Sequence, residues 1–227
     1  MTAAFGQILS QKVLDIPVHG TVNVHASLLP AYRGPAPINW CLINGEKTTG
    51  VTTMMTDRGI DTGDILLCAE TAIGNEETAP ELSQRLSLMG ASLLVETLRR
   101  LQAGTCPRIL QNHELASRHP MLTKELGCIR FQDSAVHIAN LVRGVVPWPG
   151  AYTPLPAGGT LRIWKARAVE GKGTPGEVVM ADAKKGLRIA CGEGLLEVLE
   201  LQAPGSKRMS AVAYLLGHPI PMGTMFA

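Results

Sequence analysis

The chain has 227 residues, 45% hydrophobic and 18% charged, a mix that supports a packed core and excludes a disordered chain. A net charge of +2 calls for no nucleic acid from the molecule as a whole, but residues 1–119 hold nine Lys/Arg against eleven Asp/Glu and residues 120–227 twelve against eight, so the second half better suits an anionic partner. The cysteines at 41, 68, 106, 128 and 191 form no C-x-x-C pair and no apolar run nears 18 residues, which argues against a disulfide framework, a zinc site or a membrane span and for reduced thiols in the cytoplasm.

In chain order, Met1–Gly6 is too short to be the buried strand that normally opens a doubly wound domain. Thr21–Ala26 alternates as a strand, with Val22 and Val24 on one face. Pro35–Asn44 reads as a short helix closed by Asn44-Gly45. Gly50–Thr56 and Ile65–Ala69 read as further strands. Thr78 and Glu81 form a capping-box pattern, and Leu82, Leu86, Met89, Leu93 and Leu101 keep helical spacing to Gly104. Strands interleaved with helices favour a parallel α/β layer. Residues 107–125 show no period and contain Pro107 and Pro120, so they read as a linker. Ser134–Val145 reads as a helix. Leu161–Val169, Glu177–Ala181, Leu187–Cys191 and Leu195–Leu201 are short strands between glycine-rich turns. The expectation is a partial doubly wound (Rossmann-like) α/β catalytic domain over 1–106, the linker, and a small OB-like β-barrel over 126–227.

Asn23 and His25 fall at the carboxyl end of a strand and, two residues apart, on one face. Open α/β sheets place ligands there. A turn-capping Asn beside a satisfied histidine is the plainer account of such a pair alone. Between two strands, Asp57–Asp64 brings three carboxylates and two glycines into one loop. Position 59 is Gly and no Glu closes the loop, so the calcium-loop pattern fails. The nucleophile-elbow, S-x-x-K and phosphate-loop patterns are absent.

Asn23-Val24-His25-Ala26-Ser27-Leu28-Leu29-Pro30-Ala31-Tyr32-Arg33-Gly34, with Thr49–Thr52 and Asp57–Gly63, closely resembles the folate-dependent formyltransferases. Pro147–Thr153, Leu201-Gln202 and Lys207–Ser210 extend the likeness over essentially the whole chain, and match the branch acting on charged initiator tRNA. The resemblance implies transfer of a formyl group from 10-formyltetrahydrofolate to the amino group of initiator methionyl-tRNA, without a metal, by a monomer when complete. It implies Asn23, His25 and Asp61 as catalytic residues. A folate site would be lined by Phe5, Gly6, Gln7, Ile8, Leu9, Ser27, Leu28, Leu29, Pro30, Asp57 and Ile60. For tRNA it suggests Arg33, Lys184, Lys185, Lys207 and Arg208. Ser10 departs from the family's usual proline, and the family's first strands are not represented. On that account the chain alone is expected to be poorly stable or poorly active, and an added N-terminal segment to restore both. Formylation of an amino sugar or glycinamide nucleotide, and a paralogue binding tRNA or folate without turnover, are the alternatives.

Formyl transfer to an amine passes through a tetrahedral oxyanion. Asn23 can donate to it and His25 can add a second donor, such donors contributing about 3–4 kcal/mol each. Asp61 can orient the imidazole and accept the amine's proton. Trp148, between two prolines, reads as a packed anchor.

Overall fold

The computed structural model describes residues 1–7, 9–155 and 158–226. They form two compact units, one of Met1–Cys41 with Glu46–Met121, the other of Leu42–Gly45 with the chain from Leu122 on. Residues 107–121, expected as the first part of a linker, therefore belong to the first unit.

The first unit holds a four-stranded sheet in the order β1 (Thr2–Ala3), β2 (Val22–His25), β3 (Thr48–Met55), β4 (Ile65–Ala72). Only β1 and β2 run parallel. The β2–β3 and β3–β4 pairs are antiparallel, so the layer is mixed where interleaving predicted a parallel one. Residues 56–64, which join β3 to β4, carry no helix and are too few for a parallel crossover of a dozen or more residues. Short helices α1 (Gln11–Leu14) and α2 (Pro37–Ile43) lie in the connections, and the long α3 (Ala79–Gln102) packs on the sheet.

At the start of α3 the capping box forms, the Thr78 amide donating to Glu81 Oε2 at 2.9 Å. Its buried stripe is Leu82, Leu86, Gly90 and Thr97, while Met89, Leu93 and Leu101 are only half-buried. A Cβ on Gly90 would stand 3.0 Å from Val24 and 3.4 Å from Val51, so glycine lets the helix approach the sheet closely. Thr97 and Thr53 join their hydroxyls at 2.8 Å beneath it.

The second unit opens with α4 (Ala135–Gly144), whose Ser134 hydroxyl accepts the His137 amide. An antiparallel six-stranded sheet follows. Its path is β5 (Ala151–Pro154), β6 (Thr160–Val169), β9 (Leu195–Gln202), β8 (Gly186–Ala190), β7 (Val178–Asp182), with β10 (Met209–Ser210) beside β9. Helix α5 (Ala211–Gly217) ends the run. Phe131, Ile138, Leu161, Ile163, Leu187, Ile189, Leu196 and Leu201 form its core. On the central strand β9, buried Glu197 pairs in register with Arg167 of β6 and Arg188 of β8. Burial alone would push its carboxyl up, but hydrogen bonds from the two guanidiniums outweigh that and hold it below the usual range.

Candidate active site

Strand β2 delivers Asn23 and His25 to the wall of a cavity of about 1010 Å³. On the neighbouring β1, the Thr2 hydroxyl donates to Asn23 Oδ1 at 2.9 Å. This leaves the Asn23 amide group as a hydrogen donor. His25 is 7% exposed. Its Nε2 lies 2.9 Å from the Tyr32 carbonyl, which can only accept, so the ring hydrogen sits on Nε2. Its Nδ1 faces Asp61 Oδ2 at 3.5 Å, and that oxygen also accepts the Gly34 amide at 2.8 Å. The structure thus brings the three expected residues to one cavity. His25 Nε2 is committed to the Tyr32 carbonyl, while Nδ1 stands at ion-pair distance from Asp61.

The loop from Asp57 to Asp64 is shaped by its own side chains. Asp57 Oδ1 accepts the Gly59 amide at 3.0 Å and the Thr62 hydroxyl at 2.7 Å. Asp61 itself sits at φ 54°, a left-handed conformation that Asp tolerates better than most residues. Gly63 passes so close to β3 that a Cβ there would lie 2.0 Å from the Met55 carbonyl. The glycines of this loop therefore serve close approach.

Phe5, Gly6, Gln7, Leu9, Asp57 and Ile60 line the same cavity, while Ile8 lies outside the described residues. Ser27, Leu28, Leu29 and Pro30, also expected in a folate wall, do not line this cavity. Ser27 is 1% exposed and donates to the Ala31 carbonyl, and the Leu29 amide donates to buried Thr52 Oγ1. Local hydrogen bonding holds Ser27 and Leu29 inward, while Leu28 and Pro30 stay half-buried. Arg33 does not fit its expected place at tRNA. It is 3% exposed, with Nε and Nη2 donating to Gln111 Oε1 and Nη1 to His113 Nδ1, so it cannot present its charge to phosphate.

Thr56, Gln111 and Thr2 were missed in the sequence. Thr56 ends β3's alternation at the mouth of the acidic loop, which was a usable signal. Its buried hydroxyl lines the cavity and has no partner among the described residues. Gln111 stands in an aperiodic stretch that gives no local clue.

An orphaned hydroxyl, apolar side chains such as Met54, Leu86 and Leu94, and the Asn23 and Asp61 polar groups suit a flat, amide-rich heterocycle of pterin type. Among the described residues, no three His, Cys, Asp or Glu side chains gather to hold a metal.

Of the other basic positions, Lys184 and Lys185 are exposed in the turn between β7 and β8. Their backbone amides both donate to Asp182 and hold its carboxyl below the usual range. Lys207 is exposed. Arg208 donates to Glu200 Oε2 and lies over the Trp164 ring at 5.2 Å. Trp148 is 51% exposed and so is not the packed anchor expected.

Two family models match the chain, formyl transferase over residues 1–98 and the formyl transferase C-terminal domain over 121–219. Methionyl-tRNA formyltransferase of Geobacter metallireducens is 52% identical over 98% of this chain and 71% of its own length. The chain belongs to the methionyl-tRNA formyltransferase family. The Acetivibrio thermocellus enzyme of the same name is 48% identical, over 98% of this chain and 72% of its own. The chain thus spans about seven tenths of these relatives. Among solved structures, HypX from Aquifex aeolicus in complex with tetrahydrofolic acid superposes with a TM-score of 0.70 at 18% identity, over 99% of this chain and 41% of that one. The sugar 3N-formyl transferase WlaRD gives 0.71 at 20% identity, over 90% and 72%. At these identities the likeness speaks for fold. Among the described residues no helix is long and apolar enough to cross a membrane.

Proposed function

We propose that the chain transfers a formyl group from 10-formyltetrahydrofolate to the α-amine of initiator methionyl-tRNA. The observation that carries this reading is the convergence of Asn23, His25 and Asp61 on one cavity, with His25 Nδ1 3.5 Å from Asp61. The relatives' names supply the amine acceptor, since a site of this kind fixes only the reaction class. When bound, the folate supplies the activated one-carbon group.

In this reading the Asn23 amide, oriented by Thr2, donates to the oxyanion that develops at the formyl carbon. Asp61 accepts the proton that the attacking amine loses, directly or through a water, and a proton is returned to the folate nitrogen as its bond to the formyl carbon breaks. His25 holds the Asp61 carboxylate in place and carries positive charge close to the oxyanion when Nδ1 is also protonated. Phe5, Gly6, Gln7, Leu9 and Ile60 would hold the pterin ring, with the Thr56 hydroxyl as an added partner. The exposed Lys184, Lys185, Lys207 and Arg208 meet tRNA phosphates.

A substrate panel tests the proposal. Formylation of methionyl-tRNA, with little transfer to amino sugar nucleotides or glycinamide nucleotide, is the expected result. Preference for either small amine would overturn it.

A further inference from the structure

The geometry points to Gln111 as a positioning residue that sets Asp61 through the backbone of its loop, itself held by Arg33. This rests on the reading of Asp61 as the proton acceptor. Two residues of one turn already grip the catalytic pair: the Tyr32 carbonyl accepts His25 Nε2, and the Gly34 amide donates to Asp61 Oδ2. Between them, Arg33 points away from the cavity and places Nε and Nη2 on Gln111 Oε1 at 3.0 and 2.6 Å. The Gln111 amide nitrogen then donates to the carbonyls of Asp61 and Gly63 at 3.0 and 2.7 Å.

Every hydrogen-bonding capacity of that side chain is in use, and its orientation is unambiguous. A guanidinium cannot accept and a carbonyl cannot donate, so Oε1 must face Arg33 and Nε2 must face the loop. Gln111 is 6% exposed, where unmade hydrogen bonds are costly. Its two loop acceptors, the Asp61 and Gly63 carbonyls, follow directly on the φ 54° turn at Asp61, a conformation that persists only where its surroundings impose it. The segment carrying Gln111 is itself tied to the Tyr32–Gly34 loop, with the Arg33 amide donating to the Ser117 carbonyl and the Tyr32 amide to Ser117 Oγ. Both sides of the His25–Asp61 pair are thus referenced to one strap.

Gln111→Glu separates this role from packing, because it keeps an acceptor for Arg33 and removes both donors to the loop. Expected are an unchanged circular dichroism spectrum and a kcat lower by roughly 10- to 100-fold, with both KM values within about twofold. Backbone hydrogen exchange should quicken over residues 57–64 while α3 keeps its protection. Gln111→Asn, too short to reach both carbonyls, gives the same selective change should the glutamate variant fail to fold. Turnover within twofold of the parent, or exchange that quickens evenly across the first unit, would overturn the proposal. The exchange measurement needs no substrate and decides the matter even for a chain of low activity. Asp61→Asn, assayed alongside, distinguishes the two readings. An inactive Asp61→Asn with a fully active Gln111→Glu removes only the strap, whereas an active Asp61→Asn removes the role given to Asp61.

Discussion

Asp61 Oδ2 lies 3.5 Å from His25 Nδ1, while the opposite ring nitrogen of His25 is committed to the Tyr32 carbonyl 2.9 Å away. The imidazole is therefore anchored through Nε2 and meets the carboxylate with its opposite edge.

This arrangement makes Asp61→Asn an informative variant. The asparagine still offers an oxygen to the Gly34 amide but has lost the charge and the ability to take a proton. Turnover should fall by roughly 10²–10⁴ with folate binding retained. His25→Ala should cost a similar factor, and the double variant little more than either, because the groups act as a unit. Steady-state kinetics with a separate folate-binding titration checks this.

Close approach at Gly63 supplies a steric prediction. With a Cβ meeting the Met55 carbonyl at 2.0 Å, Gly63→Ala must push the acidic loop off β3. A loss of about 1–3 kcal/mol in unfolding free energy is expected, with a fall in turnover because Asp61 moves with the loop. Denaturant titration and kcat on the same preparation test both parts.

Acid should loosen the second unit through Glu197. Its folded pKa is depressed, so the stabilisation from Arg167 and Arg188 is fully present above the ordinary value of 4.5 and is lost as pH falls through the folded value. Glu197→Gln should reduce stability at pH 7 by roughly 1–2 kcal/mol, a figure discounted for the partly exposed arginines. Between pH 7 and pH 3 the variant should lose less stability than the parent. Urea midpoints at the two pH values decide it.

For tRNA, the double reversals Lys184→Glu with Lys185→Glu, and Lys207→Glu with Arg208→Glu, should each raise Kd and flatten its salt dependence, by about one unit of slope for each phosphate no longer neutralised. Folate binding should not change. Arg33→Lys should leave the salt slope untouched, because Arg33 is buried. Filter binding across a salt series measures all three.

Much of this site was legible locally. Asn23 and His25 share a face because strand side chains alternate, and Asp61 lies in a loop whose spacing of Asp and Gly is distinctive. Strands β6 to β9 and α4 announced themselves through short apolar runs between glycine-rich turns and a serine cap. Arg33 misled because nothing in Pro30–Pro35 marks it as buried. Its burial depends on Gln111, 78 residues away, and nothing within its own turn could reveal that.

By itself, the sequence determined most of the longer helices and strands, the candidate residues of the site, and which family the chain belongs to. All of these follow from periods, caps and short motifs encoded within a few residues of one another. Only the tertiary structure decided strand direction, the burial of Ser27 and Leu29, the exposure of Trp148 and the Arg33–Gln111–Asp61 connection. Those features arise when distant segments must satisfy one another's hydrogen bonds in a space that water cannot enter. That pairing has no local period to read.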